Sequence, residues 1–281
     1  MQLGISTYSL SGALRQGWPL EEALCWIRDQ GAGHVELVEF DGDLSAARAF
    51  GDLVRSLGLY VSNLAVSGDF LHRDPQAEAD RLCALAEAAQ AMGAPRMRFD
   101  NNGPGRPEAG NCDDAFAQDL PRLAKGCRQV AAYAQELGVQ ALVENHGYYA
   151  NGSQRLLQLL AAVGHENFSV LLDVGNMVCV DEEPFSCVAA LLPHVKMVHV
   201  KDFYLRGGAL FQGRPGWFVS QAGRFLRGAI AGHGDLPLGR ILGLIRESGF
   251  DGDLSLEFEG LEECRFGCAE GLEMVRRLWG E

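Results

Sequence analysis

Eight times along the chain a short apolar run rich in β-branched residues is followed by a longer stretch of helical periodicity, and that rhythm restricts the fold more than any single motif. The runs are Leu3–Thr7, Val35–Val38, Tyr60–Val66, Arg96–Phe99, Ala141–Glu144, Phe168–Leu172, Val195–Val200 and Asp253–Phe258. Between them the spacing predicts helices over about Pro19–Gln30, Ser45–Leu57, Pro75–Met92, Asp114–Leu137, Ser153–Val163, Phe185–Leu192 and Leu238–Glu247, with a last one reaching Trp279. Parallel strands need crossover helices, and an open doubly wound sheet more often stops at five to seven strands. An unbroken eightfold alternation therefore predicts a (β/α)8 TIM barrel of α/β class, one domain over residues 1–281, a length that suits such a barrel. Two long interruptions, Asp100–Asp113 and Phe203–Asp235, follow strands and so belong to the catalytic face. The second carries Trp217, Phe218, Phe225 and many glycines and reads as a lid.

With 47% apolar residues the chain can bury a large core, and its net charge of −13 without any basic run argues against nucleic acid or an anionic membrane as partner. A small neutral substrate is the expectation. Met1–Leu10 lacks the basic region and apolar core of a secretory signal, and no stretch approaches the length of a membrane span, so a cytoplasmic protein is expected. The eight cysteines are scattered without a C-x-x-C pair and read as reduced structural thiols. Self-association into a dimer or tetramer is compatible with the chain.

The chemistry gathers where the strands end. Val195–Asp202 reads V-K-M-V-H-V-K-D, a buried strand that abruptly presents a histidine, a lysine and an aspartate. Ala141–Glu144, Ser169–Asp173 and Leu254–Glu257 end the same way, so Glu144, Asp173, His199 and Glu257 close four consecutive strands of the expected barrel. A lone strand-end carboxylate is ordinarily a solvated loop residue or a helix cap. Three together repel strongly, and a bound divalent cation relieves that repulsion. Three carboxylates with one imidazole suit manganese, magnesium or cobalt better than a thiolate zinc site, although zinc also accepts such donors. Such an ion would hold a carbonyl and a neighbouring hydroxyl of a sugar, acidify the adjacent C–H and stabilise the enediolate left by its loss.

Five segments, L-V-E-N-H-G from Leu142, L-D-V-G-N from Leu172, V-H-V-K-D from Val198, G-H-G-D from Gly232 and G-F-D-G-D-L-S-L-E-F-E-G from Gly249, together make the chain resemble the xylose isomerase-like TIM barrels, the sugar phosphate isomerase/epimerase family. The family includes ketose 3-epimerases, aldose-ketose isomerases, keto-inositol dehydratases and apurinic endonucleases. The resemblance to ketose 3-epimerases implies metal ligation by Glu144, Asp173, His199 and Glu257, with Glu144 and Glu257 doubling as the acid/base pair. Where many relatives carry a histidine three residues after the strand-six aspartate, this chain has Asn176, which can orient substrate or a ligand carboxylate but cannot transfer a proton. The implied function is a divalent-metal-dependent isomerase or epimerase of a sugar or keto-sugar. A dehydratase of a keto-inositol or keto-sugar is the alternative, and an abasic-site endonuclease is opposed by the acidic surface and by Asn176.

Other residues are candidates beside bland alternatives. His146 reads as a catalytic base or substrate donor. Lys201 shares a strand face with His199 and reads as a catalytic proton donor or as an ion-pair partner of Asp173 or Asp202. His233 in the lid and His72 after strand three read as substrate contacts. Arg98 reads as a substrate anchor or as the partner of Asp100 or Glu144, and Glu36 as a pocket residue or the partner of a buried arginine.

Overall fold

The computed structural model describes residues 2–280. Its barrel strands are β1 (Gln2–Ser6), β2 (His34–Val38), β3 (Tyr60–Val66), β4 (Arg96–Phe99), β5 (Gln140–Glu144), β6 (Phe168–Asp173), β7 (Val195–Val200) and, late in the chain, β11 (Asp253–Leu256). All pair in parallel and close in the order β1-β11-β7-β6-β5-β4-β3-β2. The helices are α1 (Ser11–Arg15), α2 (Leu20–Asp29), α3 (Leu44–Ser56), α4 (Pro75–Met92), α5 (Asp113–Glu136), α6 (Ser153–Val163), α7 (Pro184–Leu191), α8 (Leu238–Glu247) and α9 (Cys264–Trp279). The expected (β/α)8 barrel is the observed one. Its first strand is shorter at the end than expected, because Thr7–Leu10 tightens into a 3-10 turn before α1.

The period-two alternation of a strand explains how one sequence supplies both a dry floor and a polar rim. Two residues below Glu144, Asp173 and His199 lie Leu142, Leu171 and Met197, which pack as their own cluster inside the barrel, fully buried. The outward-facing positions join the main core between sheet and helices. α4 is a locally well-specified crossover. The Asp74 carboxylate accepts from the Ala77 N–H at 2.9 Å, Pro75 opens the helix, and Gly93 ends it at φ 83°. Among the described residues no helix is long and apolar enough to cross a membrane.

Two β-bulges decide which side chains meet inside the barrel. Register between β2 and β3 passes from Val35 opposite Val61 to Glu36 opposite Asn63. Between β6 and β7 it passes from Val170 opposite Val195 to Leu171 opposite Met197, which sets Asp173 opposite His199.

The stretch from Phe203 expected as a lid contains a small antiparallel sheet joined by longer loops. The sheet consists of β8 (Asp202–Arg206), β9 (Phe218–Val219) and β10 (Phe225–Ala229), with β10 between the other two. The strands are short and interrupted by glycines, so their alternation is hard to see in the sequence. Asp202 fastens the insert: its carboxylate accepts N–H bonds from Phe203 (2.8 Å), Gly232 (2.9 Å), Gly234 (2.9 Å) and Leu236 (3.2 Å). Gly234 is required there, since a Cβ would stand 2.2 Å from an Asp202 oxygen. Hydrogen bonds to a charged group contribute about 1.5–3 kcal/mol each. Replacing Asp202 by Ala should therefore speed amide hydrogen exchange at Gly232, Gly234 and Leu236 by at least about 10-fold while the barrel strands keep their protection. Unchanged exchange at those three amides would refute the fastening.

Candidate metal centre

Glu144, Asp173, His199 and Glu257 leave the C-terminal ends of β5, β6, β7 and β11, four adjacent staves, and all four side chains are buried. One donor atom from each lies within 4.8 Å of all the others. His199 Nδ1 is 3.6 Å from Glu144 Oε1, 3.6 Å from Glu257 Oε2 and 4.0 Å from Asp173 Oδ2. Both His199 Nδ1 and Asp173 Oδ2 are buried without a hydrogen-bond partner. Buried polar atoms are ordinarily satisfied, so an unbonded imidazole nitrogen facing three carboxylates, with Asp173 Oδ2 among them answered only by the Lys201 ammonium 3.2 Å away, marks a place that fits a cation. The donor set, three carboxylates and one imidazole, is the hard and oxygen-rich kind that divalent ions accept.

Asp173 and His199 are each held by one atom so that another is turned inward. Asp173 Oδ1 accepts the N–H groups of Gly175 (2.7 Å) and Asn176 (2.9 Å), which leaves Oδ2 for the cluster. The backbone of Asp173 is clamped by Asn145, whose side chain donates to its carbonyl (2.8 Å) and accepts from its N–H (2.9 Å). Glu144 takes a close ion pair from Arg98 on Oε2 and the Asn176 side-chain N–H on Oε1 at 3.0 Å. Burial pushes the Glu144 carboxyl up, but Arg98 and His199 outweigh it and hold it well below the usual range. For Asp173 burial wins over the attraction of Lys201, and the carboxyl is pushed up.

Lys201 lies at the second corner of the site. Its buried ammonium is 2.6 Å from Glu257 Oε2, 3.2 Å from Asp173 Oδ2 and 3.3 Å from Glu259 Oε1, and it donates to Asn176 Oδ1 at 3.3 Å. Burial pushes the Glu257 carboxyl up, but the cations of Lys201 and His199 outweigh it, and the net shift is downward. Arg98 is an ion-pair residue here, bonded to Glu144 and 3.5 Å from Asp100, so its guanidinium is occupied rather than free to anchor a substrate.

The remaining candidates separate. His146 is half-exposed at the mouth and its Nδ1 lies 3.1 Å from Asp100 Oδ1. Burial lowers its pKa, but the Asp100 carboxylate outweighs that and raises it. His72 turns back onto its own loop, with Nδ1 3.1 Å from Asp69 Oδ1, and makes no bond to the cluster. His233 is exposed on the turn that Asp202 fastens, and its ring bonds none of the cluster's groups. Glu36 pairs with a histidine where an arginine was the expected partner: it is fully buried in the barrel interior, with Oε2 2.7 Å from His199 Nε2.

Glu259 and Tyr8 also face the site, although nothing in the strand-end pattern singles them out. Glu259 reaches Lys201, and Tyr8 lines the same cleft of about 460 Å³ with Ser11, Arg15, Gln16 and Glu262. Burial and the nearby Glu259 carboxylate push the Tyr8 phenol up to about 12. Glu259 sits two residues beyond Glu257, the same spacing as Lys201 to His199, and that repeat is the signal by which a sequence could reveal it.

The profile of the xylose isomerase-like TIM barrel family matches residues 24–278. The chain belongs to this family. The chain is 28% identical over 202 residues to the uncharacterised protein YihM of Escherichia coli, covering 72% of this chain and 51% of that one, so it spans about half the length of that relative. It is 29% identical over 86 residues to an inosose dehydratase of Bacillus anthracis, 30% of this chain and 29% of the other. Among solved structures, D-psicose 3-epimerase of Clostridium cellulolyticum superposes with a TM-score of 0.74 at 14% identity, over 99% of each chain. At that identity the likeness is one of fold. The family fold and the buried four-residue cluster thus stand together, while epimerase and dehydratase names both occur among the matches.

The Arg98–Glu144 pair yields a direct stability test. Arg98→Leu leaves a buried carboxylate without its cation and should destabilise the protein by about 3–5 kcal/mol in urea unfolding. Arg98→Lys should recover only part, because an ammonium lacks the guanidinium fork. A loss below about 1 kcal/mol for Arg98→Leu would show that Glu144 does not depend on it.

Proposed function

We propose that this chain is a divalent-metal-dependent enzyme that isomerises or epimerises a sugar or keto-sugar, by removing a proton beside a carbonyl and returning it. The observation that carries the reading is the convergence of Glu144, Asp173, Glu257 and His199 with an unbonded imidazole nitrogen facing the three carboxylates. A divalent cation held by these four residues would act as a Lewis acid on a substrate carbonyl and acidify the neighbouring C–H. Manganese, magnesium and cobalt are the ions to which the donor set is best matched.

The chain's own groups then divide the proton handling. Glu257 stands at the cleft side of the cluster, and its carboxylate is paired with the Lys201 ammonium, which as a donor only orients the carboxylate that takes and returns the proton. Glu144 stands on the far side of Asp173 and His199, and is the group placed to act on the other face of a substrate. Its grip by Arg98 and Asn176 makes it the weaker base of the two. Asn176 contributes orientation alone, tying Glu144 to Lys201 through its two side-chain atoms.

A second reading is favoured by Lys201 itself. A buried ammonium 2.6 Å from Glu257 is placed to protonate a departing hydroxyl, which would expel water from the same substrate instead of moving a proton. The inosose dehydratase match is in keeping with that reaction.

Incubating protein loaded with manganese, magnesium or cobalt with a panel of ketoses, keto-sugars and keto-inositols in deuterated water separates the two. Deuterium at a carbon beside the carbonyl, with no change of carbon skeleton and no water lost, is the expected result. Glu257→Gln should lower that exchange at least about 100-fold with metal still bound, the size of a general-base contribution. Loss of one water from the product would move the assignment to a lyase. Neither exchange nor elimination with any member of the panel would count against both.

A further inference from the structure

One buried pair ties the cluster to the barrel interior beneath it. Glu36 on β2 is fully buried, and its Oε2 is 2.7 Å from His199 Nε2 on β7. In the barrel β2 and β7 are separated by β1 and β11, so the bond spans the interior instead of joining neighbours. Glu36 Oε1 accepts the Asn63 side-chain N–H at 2.7 Å. No lysine or arginine reaches Glu36, and His199 is its sole ionisable partner among the described residues. A carboxylate in such a place is disfavoured by several kcal/mol unless it is well bonded, and an apolar pair would serve packing better.

Backbone geometry is committed to the arrangement as well. A register shift that passes over Ser62 of β3 brings Asn63 level with Glu36, and one that passes over Lys196 of β7 brings His199 level with Asp173. Bulges of this kind re-aim side chains beside functional sites. Here both act on one chain of contacts: Asn63, Glu36, the two nitrogens of His199, and the inward oxygens of Glu144, Asp173 and Glu257.

We propose that Glu36, steadied by Asn63, is a positioning residue that fixes His199 with its proton on Nε2 and so presents Nδ1 as the atom that takes a divalent cation. An imidazole has one lone-pair nitrogen when neutral, and which one it is follows from the bond made by the other. With Nε2–H donating to a carboxylate that also accepts from Asn63, the lone pair falls on Nδ1, which is the orphaned atom facing the three carboxylates. The inference rests on the reading that the cluster holds a metal ion.

The wild-type protein tests it directly. With histidine labelled in nitrogen-15 and His199 assigned by its loss in His199→Asn, zinc is added as a diamagnetic probe ion. The expected result is a shift of the His199 Nδ1 resonance while Nε2 keeps its proton. Ligation through Nε2 would overturn the proposal while leaving the metal reading intact. In the second arm, calorimetric titration with manganese should show affinity reduced about 10- to 100-fold in Glu36→Gln, the usual effect of removing a partner of a metal-bound histidine. A smaller reduction is expected in Asn63→Ala. Folding is checked by circular dichroism, since a merely structural role for Glu36 would lower stability but leave manganese affinity of the folded variant within about twofold, and that outcome also overturns the proposal. If wild type binds neither manganese nor zinc, the metal reading itself fails and this inference falls with it.

Discussion

Repulsion among three carboxylates in a dry interior is the constraint that the rest of the site answers. Glu144, Asp173 and Glu257 stand over a floor of Leu142, Leu171 and Met197, where water cannot screen them. Each carboxylate meets the problem differently. Arg98 neutralises Glu144, backbone N–H groups hold one oxygen of Asp173, and Lys201 neutralises Glu257. His199 stands among them with its other nitrogen bonded to Glu36 below. The result is asymmetric, with a guanidinium on one flank and an ammonium on the other, and the two flanks accordingly differ in how readily they exchange protons.

The parts of this arrangement legible in the sequence are those encoded locally. A strand with both faces buried is an apolar run, and a polar residue that breaks the run at its end is visible at once. Glu144, Asp173, His199 and Glu257 can be read that way, and so can the eight strand-and-helix units. Asn176 and Lys201 are legible as neighbours of those strand ends, but not as partners of each other, since the bond that joins them links residues 25 apart. Glu36 illustrates the limit. Its position on β2 is plain, yet its partner lies 163 residues away across the barrel, and the register shift on β3 that sets Asn63 beside it leaves no mark in a hydrophobic pattern.

His233 and His72 show a related limit. A histidine in a long loop after a strand reads as facing the mouth, but loops obey their own hydrogen bonds first. Asp202 sets the course of the turn that carries His233, and Asp69 captures the ring of His72. The glycine-rich stretch before His233 hides an antiparallel sheet, because short strands with few β-branched residues resemble a flexible segment until their pairing is known. Charge at the rim is similarly deceptive: Arg98 and Arg206 each have a carboxylate partner, so cations visible in the sequence are largely consumed within the protein.

The fastening by Asp202 has an evolutionary side. One carboxylate grips the chain both where the small sheet begins, at Phe203, and where it returns, at Gly232, Gly234 and Leu236. Everything between is a loop closed at its neck, anchored directly after the strand that bears His199 and Lys201. A second anchor lies part-way along, where Asp181 takes Ser220, the Ala222 N–H and Arg224. Changes of length confined between the two anchors would leave the contacts of the four-residue cluster itself untouched, and that is where a lineage carrying this barrel has room to vary.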